Sequence, residues 1–198
     1  DVQVHAASRP RGIGLGHESG GGSGAVPYAL NFDVIAHEIG HAILFSLCGF
    51  PAGGRTGEDF GAIHESMSDL ISLISFLHFD SGLDRLLRHC NGNLLMLNEF
   101  NRIAELTGDR QVRLACNSRK LSEVTSDVHD RSRPLTGALF DTVVDAFHML
   151  LVRDGLADER LLDIDLRQLG AASLDDISGY TTRSFRERPF LFKSALIQ

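Results

Sequence analysis

His37-Glu38-Ile39-Gly40-His41 is the stretch whose residue types and spacing point most directly to chemistry. Two histidines four apart on a helix project from one face, about one turn from each other, so both imidazoles can bind one metal ion. The glutamate between them is placed to hold a water molecule against that metal and to act as its base. Zinc is the metal this pattern suits best. The flanking residues predict a helix. Asn31 or Asp33 can cap its N-terminus, and Ile35, Ile39, Ala42, Ile43 and Ser46 form an apolar stripe at helical spacing. The helix is expected to end near Cys48-Gly49-Phe50-Pro51. A buried helix with two hydrogen-bonded histidines is the alternative, and a second motif argues against it.

A catalytic zinc usually takes three protein ligands and keeps one position open. Glu65, 24 residues after His41, can supply the third ligand. It lies in Gly61-Ala62-Ile63-His64-Glu65-Ser66-Met67-Ser68-Asp69, which begins a second apolar helix expected to reach about Phe79. The residues between leave room for a loop and an antiparallel return. Asp69 is one turn beyond Glu65 on the same face. A metal-bound histidine normally donates its other N–H to an outer carboxylate, which fixes the tautomer. Asp69 fits that role for His37 or His41. Ile63, Met67, Leu70, Ile71, Leu73 and Ile74 make this helix largely apolar, against a reading of Glu65 and Asp69 as solvated acids.

On these residues the chain resembles the thermolysin-like family of zinc metallopeptidases, zincins whose third ligand is Glu. The resemblance rests on residues 33–42, on residues 61–69 and on Val128-His129-Asp130-Arg131-Ser132-Arg133-Pro134-Leu135-Thr136-Gly137-Ala138. It implies a zincin-like metallopeptidase domain with zinc on His37, His41 and Glu65, Glu38 as general base, and a peptide or protein as substrate. By the same resemblance His129 would donate a hydrogen bond to the tetrahedral oxyanion, and Arg113 would meet a substrate carbonyl. Elementary chemistry agrees on His129, since such a site needs a donor aimed at charge that develops during attack. The chain departs from the family pattern at four places. His64 stands where Asn is usual, and Thr56 where a Tyr is usual. Val124 stands at the position of the carboxylate that orients the oxyanion histidine, so Glu123 or Asp127 would have to substitute. Phe76 stands at a calcium-ligand position whose partner matches Asp33, so any calcium site is expected to be lost or rebuilt. These departures also fit a zinc domain that binds a protein or peptide without cleaving it. A zinc hydrolase of a non-peptide amide or ester is a third reading. The intact Glu38 favours hydrolysis.

Composition sets the frame. The chain has 198 residues, 43% hydrophobic and 23% charged, as expected of a soluble globular protein with one domain or one domain and a small appendage. The net charge of −7 argues against a nucleic-acid partner. No apolar run reaches transmembrane length, so no membrane is expected. The opening Asp1-Val2-Gln3-Val4 and the ending Ala195-Leu196-Ile197-Gln198 are expected of a fragment with further domains elsewhere. Secretion is implied by the resemblance alone. Cys48, Cys90 and Cys116 are odd in number and show no C-x-x-C, so neither a disulfide framework nor a zinc knuckle is expected. Cys48 reads as a small core residue.

The expected architecture is mainly α with a small N-terminal β element. Residues 1–30 read as a strand and a Gly-rich loop belonging to the catalytic domain. Asp1 to Ala7 could form the cleft edge on which an extended peptide adds as a further strand. Residues 31–154 read as the helical zinc-binding core and 155–198 as a helical tail. Leu83, Leu86, Leu87 and Cys90 share a stripe broken by Asn91-Gly92-Asn93. Leu94, Leu97, Phe100, Ile103 and Ala104 are expected to continue as a helix. Thr136 to Leu151 reads as another helix, with Leu139, Val143, Phe147 and Leu150 on one side and His148 packed or exposed.

Overall fold

Helix α1 (Phe32–Cys48) starts where the Asn31 side-chain oxygen accepts from the backbone N–H groups of Asp33 (3.0 Å) and Val34 (3.3 Å). The cap is therefore Asn31, and Asp33 sits in the first turn, where its charge suits the helix dipole. Gly49, at φ 70°, ends the helix in a conformation that costs a glycine little. The computed structural model of the chain describes residues 17–18, 26–27, 31–49, 57–90, 92–103, 113–163 and 189–198. These are mainly helical, as expected. After α1 come α2 (Glu58–Phe76), α3 (Asp80–Cys90), α4 (Val128–Arg153) and α5 (Pro189–Leu196). Strands β1 (His17–Glu18) and β2 (Val26–Pro27) pair antiparallel, as do β3 (Arg102–Ile103) and β4 (Arg113–Leu114). The strand expected at Asp1 to Ala7 lies outside the described residues. The chain divides into two compact units, residues 1–73 with 102–137 and residues 74–101 with 138–198.

In the first unit α1 and α2 run antiparallel. Ser72 Oγ donates to the Asp33 carbonyl, His37 meets Asp69, and His41 meets His64, so one index rises as the other falls. The two backbones come close at Gly40, where an added Cβ would stand 2.9 Å from Ser68 Cα. Real Cβ atoms do not approach backbone so closely, and glycine permits the contact. Helix α4 joins this pair through Ser66, whose hydroxyl is 2.9 Å from the Ser132 carbonyl.

The apolar stripe on α1 is not the buried face. Ile39 and Ile43 are each 41% exposed, Ala42 and Ser46 are exposed as well, and Ile35 is half-buried. The buried face carries Val34, Ala36, His37, Glu38 and Gly40. Two sets of residues on this helix share a helical period, and the polar set is the one turned inward. Cys48 is exposed at the helix end rather than in the core.

In the second unit Leu83, Leu86, Leu87 and Cys90 are all buried, and α3 ends at Cys90, as the stripe and its break predicted. The helix expected over Leu94–Ala104 does not form across its described residues, 94–103. Asn98 Oδ1 accepts from the N–H groups of Phe100 (2.8 Å) and Asn101 (3.0 Å), and Asn101 Oδ1 accepts from Asn98 N–H (3.1 Å). Such side chains offer the backbone an alternative to helical bonds, and here they win. Leu94, Phe100 and Ile103 are still buried, but from turns and a strand. Helix α2 stops at Phe76 rather than Phe79, and α4 begins at Val128 rather than Thr136. The buried face of α4 in this unit is Phe140, Val144, Phe147 and Leu151, one residue on from the expected one at most positions. By length and composition α4 could cross a bilayer, which a count of consecutive apolar residues did not register. Phe140, Val144, Phe147 and Leu151 are buried apolar side chains of the kind a core helix carries. Lys193 of α5 ties to Asp80 and Asp84 of α3, each at 3.1 Å.

His148 is packed. It is buried on α4, and burial alone pushes its pKa down to about 4. The unfolded chain would protonate this ring near 6.5 and the folded one only near 4. Stability is therefore fully present above pH 6.5 and falls as pH drops toward 4, by about 3 kcal/mol from this group. His148→Leu should show a smaller fall in thermal midpoint between pH 7 and pH 4.5 than the wild type, with buffers matched. Parallel pH profiles for the two proteins would contradict a buried neutral ring.

Candidate metal centre

Helix α1 delivers three groups to one place. His37, Glu38 and His41 each bring one nitrogen or oxygen to within 4.8 Å of the others. The His37 and His41 rings meet edge to face, with centroids 4.6 Å apart. Spacing of four on a helix does this without any help from the loop. His37 and Glu38 are buried and His41 is partly buried.

Helix α2 delivers the opposing groups. His64, Glu65, Ser68 and Asp69 follow one another at helical spacing on the face turned to α1. Glu65 Oε2 lies 3.2 Å from His37 Nε2, and Glu65 Oε1 lies 3.4 Å from His41 Nε2. One carboxylate thus faces the outer nitrogens of both motif histidines. Asp69 Oδ1 lies 2.8 Å from His37 Nδ1, so the outer carboxylate serves His37 and not His41. Asp69 is fully buried, and its other oxygen accepts from Thr136 Oγ1 at 3.1 Å. The sequence reading missed Thr136. It is about two turns along α4 from His129, and nothing in its type marks it as a partner of Asp69.

His41 is backed differently. Its Nδ1 lies 2.7 Å from His64 Nδ1 and 3.0 Å from Ser68 Oγ. His64, noted in the sequence only as a departure from Asn, is therefore part of the site. Burial and the neighbouring His41 lower its pKa, against a smaller opposing effect of Glu65. Its ring is packed against Phe45, with centroids 4.1 Å apart.

Helix α4 adds His129 in its first turn. Its Nδ1 lies 2.9 Å from Glu65 Oε2, and its side chain is 56% exposed. The two carboxylates expected to orient it do other work. Asp127 Oδ1 accepts from the N–H groups of His129 and Asp130, each at 3.0 Å, and so caps α4. Glu123 Oε2 accepts from the Lys120 N–H. The carboxylate that meets the His129 ring is Glu65 itself, 64 residues away in sequence. Burial opposes the charge on Glu65, but the hydrogen bonds from His129, His37 and His41 outweigh it. Together they hold the carboxyl well below the ordinary range. Arg113 lies in β4, but its side chain is outside the described residues, as is Thr56.

The donor set fits zinc. In a tetrahedral site with bonds of about 2.0–2.2 Å, neighbouring ligand atoms lie roughly 3.2–3.6 Å apart. The separations of 3.2 and 3.4 Å between Glu65 and the two imidazoles fall in that range. Two neutral imidazoles and one ionised carboxylate are ligands that zinc accepts readily.

The chain matches no family model, no curated protein and no solved structure. The reading of the site therefore rests on its own residues.

Asp69→Asn keeps the shape of the side chain and removes its charge. It should weaken zinc binding by roughly tenfold to a hundredfold, the scale for losing an outer partner of a ligand histidine. Competition against a chromophoric chelator measures this. An affinity equal to that of the wild type would remove Asp69 from the site.

Proposed function

We propose that this chain is a zinc-dependent metallopeptidase domain of the thermolysin-like kind, cutting peptide bonds within an extended polypeptide. The observation that carries the reading is the Glu65 carboxylate set between His37 Nε2 and His41 Nε2 at ligand spacing, with Glu38 buried beside them. His37, His41 and Glu65 would hold the zinc. When bound, zinc supplies Lewis acidity, polarising a carbonyl and acidifying water.

The chain's own residues do the rest. Glu38 takes the proton of the attacking water and later delivers it to the leaving amine. Its place between two ligands on the buried face of α1 keeps its carboxylate near that chemistry. Asp69 keeps His37 with its proton on Nδ1, so that Nε2 presents a lone pair. His129 is exposed enough for a substrate to reach, and its Nδ1 contact with Glu65 fixes the ring. It stabilises the negative charge that grows on the carbonyl oxygen. A domain that only binds peptides has no use for Glu38, which favours hydrolysis over that reading.

The test is metal analysis with a broad peptide-library assay. Glu38→Gln should keep zinc and fold but lower hydrolysis at least about a hundredfold, the scale for losing a general base. An unchanged rate would show that water is activated otherwise, and zinc without turnover in the wild type would favour a binding domain. His129→Ala should lower kcat by roughly tenfold to a thousandfold, the range for losing an oxyanion donor. Its zinc affinity should change far less than its kcat. Full activity in that variant would confine the site to its ligands and base.

A further inference from the structure

His64 lies outside the ligand set and the base, yet it is buried, at 8% exposure. Its ring plane is within 10° of that of His41, with centroids 5.0 Å apart and the two Nδ1 atoms at 2.7 Å. Stacked ring faces cannot bring two atoms so close, since non-bonded ring atoms stay roughly 3.5 Å apart. The rings therefore meet edge to edge, in the geometry of an N–H···N hydrogen bond. Two imidazoles so joined cannot choose tautomers independently. One Nδ1 must carry the proton and the other must present its lone pair. His41 can offer Nε2 to a metal only if its own proton is on Nδ1. His64 Nδ1 is then the acceptor, and the remaining His64 proton is on Nε2. That atom is buried and has no hydrogen-bond partner among the described residues. The His64 ring lies beside two aromatic rings, Phe45 at 4.1 Å and Phe60 at 5.6 Å between centroids.

We propose that His64 is a positioning residue that sets the tautomer of His41, doing for the second ligand histidine what Asp69 does for the first. The proposal rests on the reading of His37, His41 and Glu65 as zinc ligands. It makes the two halves of the motif unequal. His37 is backed by an anion and His41 by a neutral ring, with the Ser68 hydroxyl 3.0 Å away as the competing acceptor. A neutral acceptor fixes the proton without adding charge to the ligand.

The test uses the full chain labelled with nitrogen-15 in histidine. In the metal-free protein, the proposal requires a scalar coupling between the two Nδ1 nuclei across the hydrogen bond. With zinc bound, it also requires the shared proton on His41 Nδ1 and His64 in the Nε2–H form. The absence of that coupling, or a zinc-bound protein with the shared proton on His64 Nδ1, overturns it. Zinc titration against a chelator supplies the second readout. His64→Phe should weaken zinc by roughly tenfold to a hundredfold, while His64→Asn, which restores an acceptor, should bind within a few-fold of the wild type. Equal affinity in His64→Phe would assign His41 to Ser68 and end the proposal. If His64→Phe does not fold, the coupling in the wild type decides. If the wild type takes up no zinc, the proposed function fails while the coupling still reports on the pair.

Discussion

A buried carboxylate organises the first unit. Glu65 meets rings from α1 and α4, with His37, His41 and His129 all within 3.4 Å of its oxygens. Taking an ionised carboxylate out of water costs several kcal/mol even after relaxation. The His129 hydrogen bond at 2.9 Å returns about 1.5–3 kcal/mol of that, and the imidazoles of His37 and His41 face the same carboxylate. Every other polar group in the site is arranged around that requirement. Asp69 and Thr136 secure one ring, and His64 and Ser68 the other. Asp127 fixes the start of the helix that carries the third.

This arrangement explains what could be read in the sequence. His37, Glu38 and His41 belong to one helix, so their spacing alone fixes their relation. Glu65 and Asp69 belong to another, and their relation to each other was equally legible. What could not be read is which group meets which across helices. Asp69 was open between two histidines, and only the antiparallel register of α1 and α2 decides for His37. The orienting partner of His129 was sought nearby in the chain, at Glu123 or Asp127, because local sequence offers only local candidates. The structure closes the contact over 64 residues.

The misread elements have their own causes. On α1 the apolar period was real but belonged to the outward face, since burial of His37 and Glu38, with His41 partly buried, took the inward one. A periodicity count weighs apolar residues and cannot see that polar groups have partners waiting. Over Leu94–Ile103 the apolar residues kept a helical spacing, yet asparagine side chains bound the backbone first. The strand expected at Asp1 to Ala7 and the side chain of Arg113 lie outside the described part of the chain.

The motif is usually written with two unconstrained positions between its ends. In this protein they are not alike. Position 39 faces outward and is 41% exposed, so its side chain is free to vary. Position 40 is the point where a Cβ would reach the Ser68 backbone. Any larger residue there would wedge α1 away from α2 and open the spacing between Glu65 and both imidazoles. The close approach of α1 and α2 therefore hangs on an atom that is absent. A substitution that touches no ligand, no base and no charge could abolish the site by pushing its two halves apart.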